Sequence, residues 1–160
     1  MGKGAKIGCG LLIVLAVVAL MAFFLLKNTY NSMVVLDEDV KNSWSQVQNV
    51  LQRRMDLIPN LVETVKGYAA HERETLEAVI NARANATKTQ VNANDMTAAQ
   101  MQKMMEAQNG LSSALSRLMV VVEQYPNLKA NENFLKLQDE LAGTENRIAV
   151  ERKRFNDATR

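Results

Sequence analysis

The chain has 160 residues, 48% of them hydrophobic, with 19 Lys or Arg against 17 Asp or Glu. Lys3, Lys6 and Lys27 flank one apolar run; without them 16 basic residues face 17 acidic ones, a net charge near −1. That balance, with few aromatic residues, argues against a nucleic-acid binder with a basic face and stacking rings, and the paucity of proline favours helix throughout.

Residues 1–6 are a basic flank. Residues 7–26, IGCGLLIVLAVVALMAFFLL, contain no charge. At 1.5 Å per residue they span roughly 30 Å, the thickness of a bilayer's hydrocarbon core, and so predict a transmembrane anchor in contact with membrane lipid. A cleaved signal peptide needs small residues three and one before the cut. A cut after Ala22 would place Leu20 at the first of these and leave Phe23 to Leu26 apolar, so an uncleaved anchor is favoured. Cys9 is the only cysteine, which excludes an intrachain disulfide. Lys3, Lys6 and the amino terminus outnumber Lys27, favouring a single-pass protein of the bacterial inner membrane with its remainder on the non-cytoplasmic side.

Residues 27–32 form a polar collar, in which Ser32 can cap a new helix, although nothing there forbids the anchor from running straight on. The spacing predicts four helices over residues 33–160, at about 33–57, 59–88, 96–125 and 131–160. The first carries Leu36, Val40, Trp44, Val47, Leu51, Met55 and Ile58 in steps of three and four, a bundle-facing stripe with Trp44 as its large core residue. Pro59 disfavours helix at Ile58 and suits the first turn of a new one, so a break is expected there. Residues 89–96 (TQVNANDM) read as a loop, after which Asp95 or Thr97 can cap the third helix, with Met104, Gln108, Leu111, Leu115 and Leu118 on its stripe. Pro126 ends it, and Asn131 caps the fourth, with Phe134, Leu141, Thr144 and Ile148 at helical spacing. The chain reaches Arg160 in mid-pattern, as a truncated C-terminus would. The fold class is all-α: an N-terminal transmembrane helix followed by an elongated up-and-down four-helix bundle.

WSQVQNVLQRRMDLIPNLVETVKGYAAHE at 44–72 and YPNLKANENFLKLQDELAGTENRIAVERKRFN at 125–156 resemble the LemA family of bacterial proteins. The resemblance covers the soluble part and the preceding anchor. It implies a membrane-anchored four-helix bundle of bromodomain-like, mirror-variant topology, and it supplies no reaction. The segment that usually follows the family's last arginine-rich helix is missing here.

An up-and-down order puts the first and third turns together at the tip far from the membrane. Both centre on Pro-Asn-Leu, in DLIPNL at 56–61 and YPNLKANENF at 125–134. Prolines and asparagines also simply make turns, but a turn does not need the accompanying cations. The tip is therefore the candidate partner-binding surface, with Arg53, Arg54, Asp56, Pro59, Asn60, Lys66, Tyr125, Pro126, Asn127, Lys129, Asn131 and Glu132. At the other end Arg147, Arg152, Lys153, Arg154 and Arg160 form a candidate contact with anionic headgroups, or merely suit a helix C-terminus.

Chemistry finds little footing. His71 is the only histidine, and the second ligand of a His-Glu-x-x-His site is Thr75. A di-iron bundle needs two Glu-x-x-His pairs, and they are missing. Methionines 96, 101, 104 and 105 admit a copper(I) reading but more simply fill a core. No catalytic residue, cofactor or metal is assigned. The reading is a non-enzymatic, membrane-tethered scaffold. It forms homo-oligomers through apolar residues left off the seam (Val34, Val50, Val120) or holds a membrane-protein partner at the tip. The alternatives are a lipid-binding or membrane-shaping protein and an accessory subunit of an envelope enzyme.

Overall fold

The computed structural model describes residues 3–92 and 97–160, with side chains from Leu15 onward. Among the described residues there are five helices and no strand: α1 (Lys3–Lys66), α2 (Arg73–Lys88), α3 (Ala98–Val122), α4 (Pro126–Lys129) and α5 (Glu132–Ala158). They belong to two compact units, Met1–Val40 and Lys41–Arg160.

In the first unit every residue from Leu15 to Asp39 is exposed, including Phe23, Phe24 and Leu26. Among the described residues one helix is long and apolar enough to cross a membrane. No break follows it: residues 27–32 are helical, with the Thr29 hydroxyl donating to the Leu25 carbonyl at 2.9 Å. The side chains of Lys3, Lys6 and Cys9 lie outside the described residues.

The second unit corrects the expected break at Pro59. α1 runs through it and ends at Lys66, so α2 is only 16 residues long and begins at Arg73 rather than near Pro59. A proline in a helix interior removes the bond to the carbonyl four residues back, here that of Met55. Met55 is 1% exposed, so water does not satisfy that oxygen. Arg83 of α2 does: its Nε donates to the Met55 carbonyl at 2.8 Å.

The core lies in two clusters. The larger joins Met55, Ile58, Leu61 and Val65 of α1 to Leu76 and Val79 of α2, Leu111 and Leu118 of α3, and Leu128 and Phe134 beyond. The smaller gathers Trp44, Val47, Leu51, Val91, Met104 and Ile148, with Phe155 packed against it. Trp44 is the core residue its spacing predicts, and its Nε1 donates to the Val91 carbonyl at 3.0 Å. Val50, expected off the seam, packs against this cluster, whereas Val34 and Val120 are exposed.

Among the described residues three polar ones are buried, Arg54, Gln108 and Thr144, and each falls between the two clusters along its own helix. Arg54 ties α1 to both others. Its Nη2 donates to Ser112 Oγ at 2.8 Å and lies 3.3 Å from Glu145 Oε2. Burial pushes the Arg54 guanidinium below its ordinary value and the Glu145 carboxylate opposes this. Glu145 is itself half exposed.

Local capping accounts for the other ends. Thr97 caps α3 through a reciprocal capping box with Gln100; the rival cap Asp95 lies outside the described residues. Asn131 Oδ1 accepts from the Phe134 N–H at 2.9 Å and so caps α5 as expected.

Two stability measurements test these ties. Arg83→Met should cost about 1–3 kcal/mol, the penalty of a buried acceptor left unmade, and much less in a Pro59→Ala background, where the backbone supplies the missing donor. Urea unfolding followed by Trp44 fluorescence reads both arms. Glu145→Ala leaves a buried guanidinium without its counter-charge and should cost about 2 kcal/mol, more than Arg54→Met, which removes the buried charge itself.

Candidate functional site: the turn end of the bundle

The end of the second unit opposite Lys41 is where α1 passes into α2 and α3 into α5. The first connection, residues 67–72, is tight: Ala69 N–H donates to the Val65 carbonyl at 2.8 Å and Glu72 N–H to that of Ala69 at 3.1 Å. The second begins at Tyr125, where Pro126 opens the short helix α4, a position at which the missing proline N–H costs nothing. Leu128 then inserts into the larger cluster and is fully buried.

Two side-chain bonds join the connections. The Tyr125 hydroxyl donates to Glu72 Oε1 at 2.9 Å. Asn131 Nδ2 donates to the Tyr68 hydroxyl at 3.0 Å while its Oδ1 caps α5, so one amide serves both. The Tyr125 hydroxyl is held above its ordinary value, chiefly by the bond to Glu72, with burial and the Glu72 charge acting in the same direction. Around this frame Pro126, Asn127, Lys129 and Glu132 are exposed, and Lys129 pairs with Glu123. Lys66, the last residue of α1, is exposed and lies 3.7 Å from Glu63.

The expected tip thus divides. Lys66, Tyr125, Pro126, Asn127, Lys129, Asn131 and Glu132 lie at the turn end. Arg53, Arg54 and Asp56 do not: Arg54 precedes the end of α1 by twelve residues, roughly 18 Å at the helical rise. Arg53 pairs there with Glu140 of α5 at 3.2 Å, and Asp56 accepts from Gln52 at 2.7 Å. Pro59 and Asn60 are exposed on the helix flank, not in a turn. The two Pro-Asn-Leu triplets share only their last residue's role, since Leu61 and Leu128 are both fully buried in one cluster. Tyr68 and Glu72 went unassigned in the sequence because their partners stand 63 and 53 residues away.

The basic residues of α5 divide as well. Arg147, Arg152, Lys153 and Arg160 are exposed, while Arg154 pairs with Glu151 at 2.9 Å. Among the described residues no three His, Cys, Asp or Glu side chains group as metal ligands.

Residues 43–160 match the LemA family. The chain belongs to that family. It is similar to magnetosome protein MamQ 2 of Paramagnetospirillum magneticum, 27% identical over 99% of this chain and 64% of that protein. Magnetosome protein MamQ of Magnetospirillum gryphiswaldense is also 27% identical, over 98% and 63%. Protein LemA of Metamycoplasma hominis is 24% identical over 84% and 58%. The chain spans less than two thirds of the length of each of these relatives. Family membership and the one long apolar helix together support membrane localisation for this LemA-family chain.

The raised Tyr125 value carries a sign. Because the folded protein favours the neutral phenol, the Tyr125–Glu72 bond stabilises the fold at every pH below the unfolded value of about 10. That contribution fades as pH rises through the folded value. Tyrosinate absorbance should show one late-titrating tyrosine, absent in Tyr125→Phe and shifted back toward the ordinary value in Glu72→Gln.

Proposed function

We propose that this LemA-family protein is a membrane-tethered, non-enzymatic interaction protein of the bacterial envelope that uses the turn end of its bundle to hold a partner. The observation that carries the reading is the pair of tertiary bonds, Tyr125–Glu72 and Asn131–Tyr68, that fix both connections while Pro126, Asn127 and Lys129 stay exposed. A surface fixed before binding loses little conformational entropy on association. The names of the magnetosome relatives state a cellular structure rather than a reaction, which favours assembly over catalysis. The inner membrane is the favoured site, with the bundle on the non-cytoplasmic side by the excess of lysines before the anchor. A second copy of the chain is the other candidate partner, because Val120 and Tyr68 leave apolar surface exposed.

A photo-reactive residue placed at Lys129 in intact cells, with Asn156 at the opposite end of the bundle as comparison, tests this. Lys129 should capture one discrete partner, or the chain itself, that Asn156 does not. Equal capture from both positions would remove the turn end as the interaction surface.

A further inference from the structure

Gly143 lies near the middle of α5, exposed in a shallow depression beside Arg53 of α1. Glycine weakens a helix interior relative to alanine. Here nothing in the chain's own fold asks for it: its φ is not positive, and an added Cβ would meet no atom within 4 Å.

The residues on the same side of α5 are arranged symmetrically about this glycine. Asp139 and Arg147 stand four residues before and after it, Lys136 and Val150 seven, and Glu132 and Arg154 eleven. At 3.6 residues per turn they fall within a strip about 80° wide and roughly 33 Å long. All are exposed, Val150 to 50%. The two acids precede the glycine and the two arginines follow it. Among the described residues Glu132, Asp139 and Arg147 form no salt bridge, and Arg154 pairs only with its helix neighbour Glu151.

Such an order is self-complementary. A twofold axis through Gly143, perpendicular to the helix, lays a second α5 antiparallel on the first. Each residue then faces the one equally far beyond the glycine. Asp139 meets the partner's Arg147, Glu132 meets the partner's Arg154, and the stem of Lys136 covers the partner's Val150. Gly143 falls where the helices cross, the point at which a side chain would hold them apart. Gly110 of α3 is equally open. Seven residues to either side of it, however, stand Lys103 and Arg117, and the same pairing there would oppose two cations.

We infer that the exposed flank of α5 is a self-association surface for a second copy of this chain, paired antiparallel about Gly143. The charges fix the direction, since a parallel pair in register would set Asp139 against Asp139 and Arg147 against Arg147. With the twofold axis along the membrane normal, both chains enter one bilayer from the same side. Apart from Glu132 the surface lies on the flank of α5 rather than at the turn end, so changes at 139 and 147 leave a partner held at the turn end untouched.

The full-length protein in mild detergent provides the test, on a Cys9→Ser background that removes its one native thiol. Gly143→Cys falls on the twofold axis and should give a disulfide-linked dimer on oxidation, whereas Gly110→Cys should not. Added to Gly143→Cys, Asp139→Arg or Arg147→Asp should each lower the dimer yield about tenfold, because like charges then face each other twice. Mixing these two variants should restore the yield, since every pair between them is again opposite in sign. Both positions are exposed, so each variant should keep the helix content of the parent by circular dichroism. Equal dimer yields from positions 143 and 110, or no gain on mixing the charge variants, would overturn the pairing.

Discussion

The bond from Arg83 Nε to the Met55 carbonyl decides where this bundle turns. Without a donor for that oxygen, a proline four residues on would leave a buried carbonyl unmade, and ending the helix at Ile58 would be the cheaper solution. With it, α1 continues for another two turns and places Leu61, Val62 and Val65 in the larger cluster. The first connection then falls at residues 67–72, against Tyr125 and Asn131. The contacts that close the turn end depend on α1 continuing past Pro59, which this guanidinium N–H favours.

This also explains which parts of the fold are legible in the sequence. Helix rules for proline are local, and the compensating Arg83 stands 28 residues away on another helix. The core stripe depends only on spacing, so Trp44, Met55, Leu111, Leu118, Phe134 and Ile148 can be read directly. Asn131 as a cap and Pro126 as a helix start are equally local. Arg54 shows how chemistry obscures position. It follows Leu51 by three residues and precedes Ile58 by four, which is a core register, yet a guanidinium invites a surface reading. Gln108 and Thr144 sit on their helices' stripes in the same way, so the polar layer was visible as pattern, though its partners Ser112 and Glu145 were not.

That layer divides the bundle energetically. A buried guanidinium stabilises the fold only while its hydrogen bonds and counter-charge are in place, so Arg54 makes the register of α1, α3 and α5 costly to shift. It also interrupts the apolar core, leaving the smaller cluster to hold its end largely alone. α2 stops at Lys88, and beyond it the Val91 carbonyl is fastened by both Trp44 Nε1 and Gln48 Nε2. Here the segment after α2 does what a fourth helix does on the other side of the layer.

The two ends therefore differ in how firmly they are held. At the turn end dense apolar burial and two cross-connection bonds leave little that can move, and a partner would meet side chains already in place. On the other side of Arg54, three helices and the segment after α2 enclose fewer buried side chains, and the Gln108 amide oxygen there has no partner. Local openings draw on regions with few buried contacts, so this end of the bundle opens more readily than the turn end. A rigid tip and an incompletely filled flank follow from the same arrangement: one proline compensated by α2, and one buried charge that splits the core.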